Sequence, residues 1–162
     1  MTVFSATNES TAVVEASREE IWELLTDPEE LPKLTPNLER IDADGETWVW
    51  HMSRMPILGT SLAPSFTETM TFDEPSRIEY THTPPEGEKE RAGAEGTYAL
   101  SEVDGGTELA ISLTISVDLP LPKMSKGAVT RVMNKVIERM GDQFADNLLH
   151  RLEAREASGA DE

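Results

Sequence analysis

Apolar residues recur at every third or fourth position through the last part of the chain. Between residues 123 and 152 they fall at Val129, Val132, Val136, Met140, Phe144, Leu148 and Leu152. This period is that of one face of an α-helix, so the segment is predicted to form a long amphipathic helix. Its apolar stripe must be covered, and the sequence before it predicts mainly strands. We therefore expect the helix to lie against a sheet.

Alternating apolar and polar residues predict a series of strands before that helix. The clearest strand runs from Leu109 to Val117, where every second residue is apolar. A first strand is expected over 9–16. One long strand is expected over 60–72, with an edge, a bulge or a bend at Pro64 because proline lacks the backbone N–H of a ladder bond. The segment 55–59, Met-Pro-Ile-Leu-Gly, is interpreted as an apolar loop.

Two Asp-Gly pairs predict tight hairpin turns. They are at 44–45 and 104–105. A two-residue turn at the second pair places Tyr98 opposite Ile111 across the hairpin, which agrees with the alternation of both strands. The same turn at the first pair places Ile41 opposite Trp48. Each hairpin should therefore present a row of large apolar side chains on one face.

Capping signals predict two short helices directly after the first strand. Ser17-Arg18-Glu19-Glu20 has the Ser-x-x-Glu spacing of a capping box. Asp27-Pro28 places a proline where a second helix would begin, and Pro32 follows closely enough to keep that helix short.

This order of elements resembles the helix-grip fold of the START-like superfamily, also called the SRPBCC or Bet v 1-like superfamily. The local segments that carry the resemblance are Val14–Trp22, Asp27–Glu29 and Gly105–Glu108. They are most similar to the polyketide cyclase/dehydrase-type proteins of bacteria. The resemblance implies an α+β fold in which a curved antiparallel β-sheet of about seven strands wraps around the C-terminal helix.

The chain has 162 residues, enough for one domain with its own core. We expect a single domain over 1–162, with its core at 10–152 and a polar, fraying tail at 153–162. No cysteine is present, which excludes disulfides and thiolate–metal sites. No apolar run is long enough to span a bilayer, and the N-terminus lacks the features of a signal peptide. A cytoplasmic location is therefore expected.

Acidic residues outnumber basic residues by 31 to 14, which gives a net charge of −17. A chain of this charge repels phosphate backbones, so nucleic acid is not an expected partner. The histidines His51 and His150 stand alone in the sequence, and neither a metal site nor a cofactor is expected. The acidic stretch 86–90 is interpreted as a solvated loop.

The resemblance implies an elongated hydrophobic pocket between sheet and helix. Known members of the superfamily bind lipids, sterols, quinones, plant hormones or polyketides, or cyclise polyketides. Binding of a small hydrophobic molecule is therefore the first hypothesis. A cyclase or dehydratase-type enzyme is an alternative, and a protein-interaction module is another, with an apolar segment near Ile57 and Leu58 or a homodimer interface. The motifs of a Rieske centre are lacking, so no redox centre is implied.

The inward faces of these elements supply the candidate ligand-binding residues. They are Trp48, Trp50, Phe66, Met70, Tyr80, Tyr98, Ile111, Val136, Met140 and Phe144. The aromatic residues among them are equally consistent with ordinary core packing. Gly141 lies beside the apolar stripe of the helix, where a missing side chain leaves room for a ligand or for a close approach of the sheet.

Glu68 and His82 are the candidate catalytic residues. A turn at 73–76 would set Phe72 opposite Ile78, and hence Glu68 opposite His82. A carboxylate that faces an apolar cavity has a raised pKa and suits acid–base chemistry. The other interpretation is structural, because a bulge near Pro64 would turn Glu68 to water and a slip of one residue would separate the pair.

Overall fold

A computed structural model describes the backbone of residues 2–57 and 60–160, and the side chains of residues 2–54 and 63–154. The strands are β1 (Thr2–Val14), β2 (Leu38–Asp44), β3 (Thr47–Met52), β4 (Met55–Ile57), β5 (Thr60–Leu62), β6 (Ser65–Asp73), β7 (Arg77–His82), β8 (Ala92–Val103) and β9 (Gly106–Leu119). The helices are α1 (Arg18–Leu25), α2 (Leu31–Leu34) and α3 (Lys126–Ala160), with a 3-10 turn at Lys123–Ser125.

Seven of the described strands form one antiparallel sheet in the order β1-β9-β8-β7-β6-β3-β2. The inward-facing residues of this sheet and the apolar stripe of α3 share one hydrophobic core. The predicted α+β helix-grip fold is therefore confirmed, including the two short helices after the first strand. The sheet covers the helix because neither apolar surface is stable in water alone.

The pairing registers agree with two of the predicted hairpins. Tyr98 lies opposite Ile111 across β8 and β9, and Glu68 lies opposite His82 across β6 and β7. The first hairpin differs, because Ile41 pairs with Trp50 rather than with Trp48. Its two turn residues are those after Asp44, and Gly45 adopts a φ of +61° there. A shift of two residues preserves the face, so the apolar row still points inward.

Four local predictions are wrong in detail. The first strand, expected over 9–16, is β1 and begins at Thr2. The segment interpreted as an apolar loop is partly the strand β4, which pairs with β5, while Leu58 and Gly59 lie outside the described residues. The long strand is divided at Pro64 into β5 and β6. The second helix begins at Leu31, because Asp27 instead caps a turn by accepting the Glu29 N–H at 2.8 Å.

The two halves of α3 are held differently. Its C-terminal half is tied to α2, because Arg151 donates two hydrogen bonds to Glu30, at 2.8 and 3.0 Å, and the Asn147 amide donates to the Leu34 carbonyl at 3.0 Å. Its N-terminal half is held by apolar packing: Val129 is completely buried, while Val132 and Val136 stay partly exposed. The boundary between the two halves falls at Gly141, where the added Cβ of an alanine would meet only the Asn8 amide nitrogen, at 3.9 Å.

We expect Gly141→Ala to stabilise the protein by about 0.5–1 kcal/mol, because alanine is the better helix former and its methyl group has space here. Gly96→Ala is the contrasting variant. A Cβ at Gly96 would overlap the Ser112 carbonyl oxygen and lie 2.6 Å from the Tyr80 hydroxyl, so that variant should lose stability. Urea unfolding of both variants checks this. A destabilised Gly141→Ala protein would show that the space beside α3 is needed for packing.

Candidate ligand-binding groove

The interface between α3 and the sheet is incompletely filled and contains an apolar cavity of about 60 Å³. We call it the first cavity. Every residue that lines it is apolar: Met52, Pro64, Phe66, Ala92, Ile115, Val117, Val132, Met133, Val136, Ile137 and Met140. Three of these, Ile115, Val132 and Val136, remain partly exposed. The cavity therefore lies just beneath an apolar seam that reaches the surface between β9 and α3.

Two further cavities continue along the same groove. The second, of about 70 Å³, lies between Tyr80 and Tyr98 on the sheet and Gly141 on the helix. The third, of about 90 Å³, lies beyond Phe144 towards the end of α3. Ile137 and Met140 line both the first and the second cavity. These two side chains are therefore the partition between them.

A row of aromatic rings crosses the floor of the groove. Ring centroids are 6.0 Å apart for Phe66 and Trp50, 5.8 Å for Trp50 and Tyr80, 5.8 Å for Tyr80 and Tyr98, and 6.2 Å for Tyr98 and Phe144. Burial raises the pKa of both tyrosines well above the ordinary range, so their hydroxyls remain neutral. The indole nitrogen of Trp50 is buried and has no hydrogen-bond partner among the described residues.

The predicted ligand-binding residues divide into two groups. Those that line at least one of the three cavities are Phe66, Tyr80, Tyr98, Ile111, Val136, Met140 and Phe144. Trp50 belongs to the aromatic row beside the cavities, whereas Trp48 packs against Phe72 at 5.8 Å and Met70 is wholly buried in the core. Contact with a ligand stays a prediction for all of them.

Glu68 points inward and is completely buried. Its Oε1 accepts the backbone N–H of Ala94 at 2.9 Å, while its Oε2 has no partner among the described residues. Burial raises the pKa of this carboxyl to about 8; the hydrogen bond from Ala94 opposes that shift, and the charges of Glu95 and Glu90 add to it. Glu68 is therefore a neutral carboxylic acid at pH 7, and it lines none of the three cavities.

His82 does not use Glu68 as its hydrogen-bond partner, although the two face each other in register. Its Nε2 lies 2.9 Å from Glu90 Oε1, and the Glu90 carboxylate also accepts the N–H and the hydroxyl of Thr67, each at 2.8 Å. Burial raises the pKa of Glu90, but the hydrogen bonds from Thr67 and His82 outweigh burial and leave that pKa below its usual value. The acidic loop, expected to be only a solvated surface, therefore supplies the partner of His82.

Sequence reasoning missed one further feature, a hollow at the end of the groove with cationic walls. The cations are Arg54, Lys89 and Arg91. They come from two distant parts of the chain and carry no shared motif, so only the fold brings them together. Among the described residues, no cluster of histidine, aspartate and glutamate could hold a metal ion, and no helix is long and apolar enough to cross a membrane.

Glu68→Gln should change how stability depends on pH. Wild-type Glu68 keeps its proton up to a pKa of about 8 when folded, against an ordinary value of 4.5, so the unfolded chain binds fewer protons between these values. The free energy of unfolding therefore falls as pH rises through this window. The glutamine variant lacks this loss and should be more stable by roughly 2–4 kcal/mol at pH 8.5, with little difference at pH 5.

Urea unfolding between pH 5 and pH 8.5 measures this difference. Glu39→Gln, at an exposed position of β2, is the matched control and should keep the wild-type pH profile. Parallel profiles for wild type and Glu68→Gln would mean that Glu68 is not held as a neutral acid.

Comparison with known proteins agrees with this architecture. Residues 5–153 match the family described as polyketide cyclase / dehydrase and lipid transport. No curated protein matches the sequence at a significant level.

Solved structures of similar fold include three bacterial proteins. A conserved protein from Geobacillus kaustophilus has a TM-score of 0.68 at 15% identity, with 91% of this chain and 95% of that chain covered. The ZhuI aromatase/cyclase from Streptomyces sp. R1128 has a TM-score of 0.65 at 18% identity, with 93% of this chain and 95% of that chain covered. A START superfamily protein from Mycobacterium smegmatis has a TM-score of 0.63 at 19% identity, with 91% of this chain and 97% of that chain covered.

At these identities the solved structures show a shared fold. The match to the family, in contrast, is a match of sequence and spans nearly the whole chain. The chain thus belongs to the polyketide cyclase / dehydrase and lipid transport family.

Proposed function

We propose that this protein binds a small hydrophobic molecule, lipid-, quinone- or polyketide-like, in the groove between α3 and the sheet. The observation that carries the proposal is the first cavity, whose lining is entirely apolar and which reaches the surface through a half-buried seam. Apolar lining of this kind favours a hydrophobic ligand, since burial of its surface is the main source of binding energy.

The cavities as they stand are too small for such a ligand. The first cavity, of about 60 Å³, is far below the several hundred Å³ of a drug-sized site. Binding therefore requires that the partition formed by Ile137 and Met140 move aside, so that the first and second cavities join. Methionine suits this role because its unbranched chain has several accessible rotamers and repacks at low cost. An outward movement of the N-terminal half of α3, which is held by apolar packing, would provide the remaining space.

The family supports a ligand of this class, because its description combines polyketide cyclases and dehydrases with lipid transport. The Streptomyces protein is named as an aromatase/cyclase, and that activity is a property of that protein. The shared fold makes the same kind of ligand site available here, while the activity depends on side chains.

The catalytic alternative has less support from the geometry. An acid–base pair of Glu68 and His82 would need both groups beside the ligand, whereas Glu68 lines none of the three cavities and His82 is bonded to Glu90. Proton transfer requires hydrogen-bond reach of the reacting atoms. The interaction-module alternative depends on the side chains of Ile57 and Leu58, which lie outside the described residues.

Titration with Nile red, an uncharged fluorescent dye, tests the proposal. Val136→Trp should fill the first cavity, and Gly141→Leu should fill the space between the second and third. Each variant should weaken dye binding at least fivefold, because the added side chain occupies the volume that the ligand needs.

Gly127→Leu is the matched control, because Gly127 also lies in α3 with open space around it but lines none of the three cavities. It should bind the dye as the wild type does. Thermal unfolding of each variant verifies that the fold is retained. Failure of the wild-type protein to bind the dye, or equal binding by all variants, would contradict a ligand site in the groove.

A further inference from the structure

A hollow of about 400 Å³ opens where β3 ends and β6 and β8 begin. Arg54, Lys89 and Arg91 form its charged walls together with a single acidic residue, Glu90. We call it the basic hollow. Glu90 is already engaged, because its carboxylate accepts hydrogen bonds from Thr67 and pairs with His82. Among the residues that line the hollow, cations are therefore in excess.

This concentration of positive charge runs against the composition of the chain. Acidic residues outnumber basic residues by more than two to one in the whole sequence, 31 against 14, yet cations outnumber acids three to one in the walls of this hollow. The net charge of −17 repels anions from the rest of the surface. A basic hollow is the kind of feature that lets an anion approach such a protein.

Asp118 holds two of the cations in place. Its carboxylate lies 3.3 Å from the Lys89 ammonium, and its backbone carbonyl accepts a hydrogen bond from Arg91 at 3.2 Å. Asp118 itself is buried, whereas the Lys89 side chain is 79% exposed. The Lys89 ammonium has three donors, so it can keep its contact with the buried Asp118 and still meet a ligand from the solvent side.

The basic hollow and the first cavity adjoin each other. Pro64 lines both of them. The change from hollow to cavity takes a single residue at two places. At the start of β6, Ser65 lines the hollow and Phe66 the cavity, and at the start of β8, Arg91 lines the hollow and Ala92 the cavity. Successive residues of a strand point to opposite sides, which explains this abrupt change from charged to apolar wall. A molecule that occupies both spaces would pass at Pro64 from the inner to the outer face of the sheet.

We infer that the ligand of the groove is an amphiphile with an anionic head group, a carboxylate or a phosphate, which occupies the basic hollow while its apolar part enters the first cavity. The inference rests on the proposed function and adds the chemical class of the ligand. Arginine and lysine make charge-assisted hydrogen bonds to such groups, which are stronger than those between neutral partners. The apolar walls select the tail, and the hollow selects the head.

Isothermal titration calorimetry with decanoate and decanol tests this inference at pH 7.5 and low ionic strength. The two probes share one apolar chain and differ in head-group charge. Decanoate should bind at least tenfold more tightly than decanol. In the double variant Arg54→Gln, Lys89→Gln this preference should fall below threefold, while the affinity for decanol stays unchanged and shows that the groove is intact.

The matched control is the double variant Arg40→Gln, Arg77→Gln, which removes two exposed arginines outside the basic hollow and changes the net charge equally. It should keep the wild-type preference. Equal affinity of both probes for the wild type, or the same loss of preference in both double variants, would overturn the inference and leave the proposed function standing. Acetate binding as tightly as decanoate would also overturn it, because the hollow would then take a free anion. Binding of neither decanoate nor decanol would count against the inference and the proposed function together.

Discussion

The contact between α3 and the concave face of the sheet is the constraint on which the rest of the molecule depends. Both surfaces are apolar and each is the main cover of the other, so the helix cannot leave without exposing the core. The contact is nevertheless incomplete, since three cavities lie along it. Voids in a protein interior cost stability. This protein accepts that cost at the interface that we propose as its ligand site.

The local sequence pattern was sufficient to predict those elements whose geometry is set by residues close together in the chain. The long helix follows from its period, and the pairing of Tyr98 with Ile111 follows from a turn and an alternation that agree. The first hairpin shows the limit, because Asp44-Gly45 can occupy more than one pair of turn positions, and sequence alone does not choose between them. The partner of His82 was missed for a different reason. Glu90 reaches it from a loop whose position depends on the folded sheet.

Glu68 illustrates how a buried acid can be structural and unusual at once. The β7–β8 ladder is paired as far as Tyr80 and Gly96, and beyond that point the Glu68 carboxyl takes up the Ala94 N–H. The side chain thus supplies an acceptor where the strands part. The basic hollow could not be foreseen in the same way, because Arg54 and Lys89 are far apart in the sequence. Their significance comes from the shared boundary with an apolar cavity.

The unequal attachment of α3 has a mechanical consequence. From Lys126 to Gly141 the helix forms an arm of about 22 Å, at 1.5 Å per residue, whose far end carries no tie comparable with that of Arg151 to Glu30 among the described hydrogen bonds and ion pairs. A rotation of about 10° around Gly141 would move the tip of this arm by about 4 Å. The displacement grows with distance from the pivot. The same small turn would therefore widen the first cavity far more than the third, and the space made available would be graded along the groove.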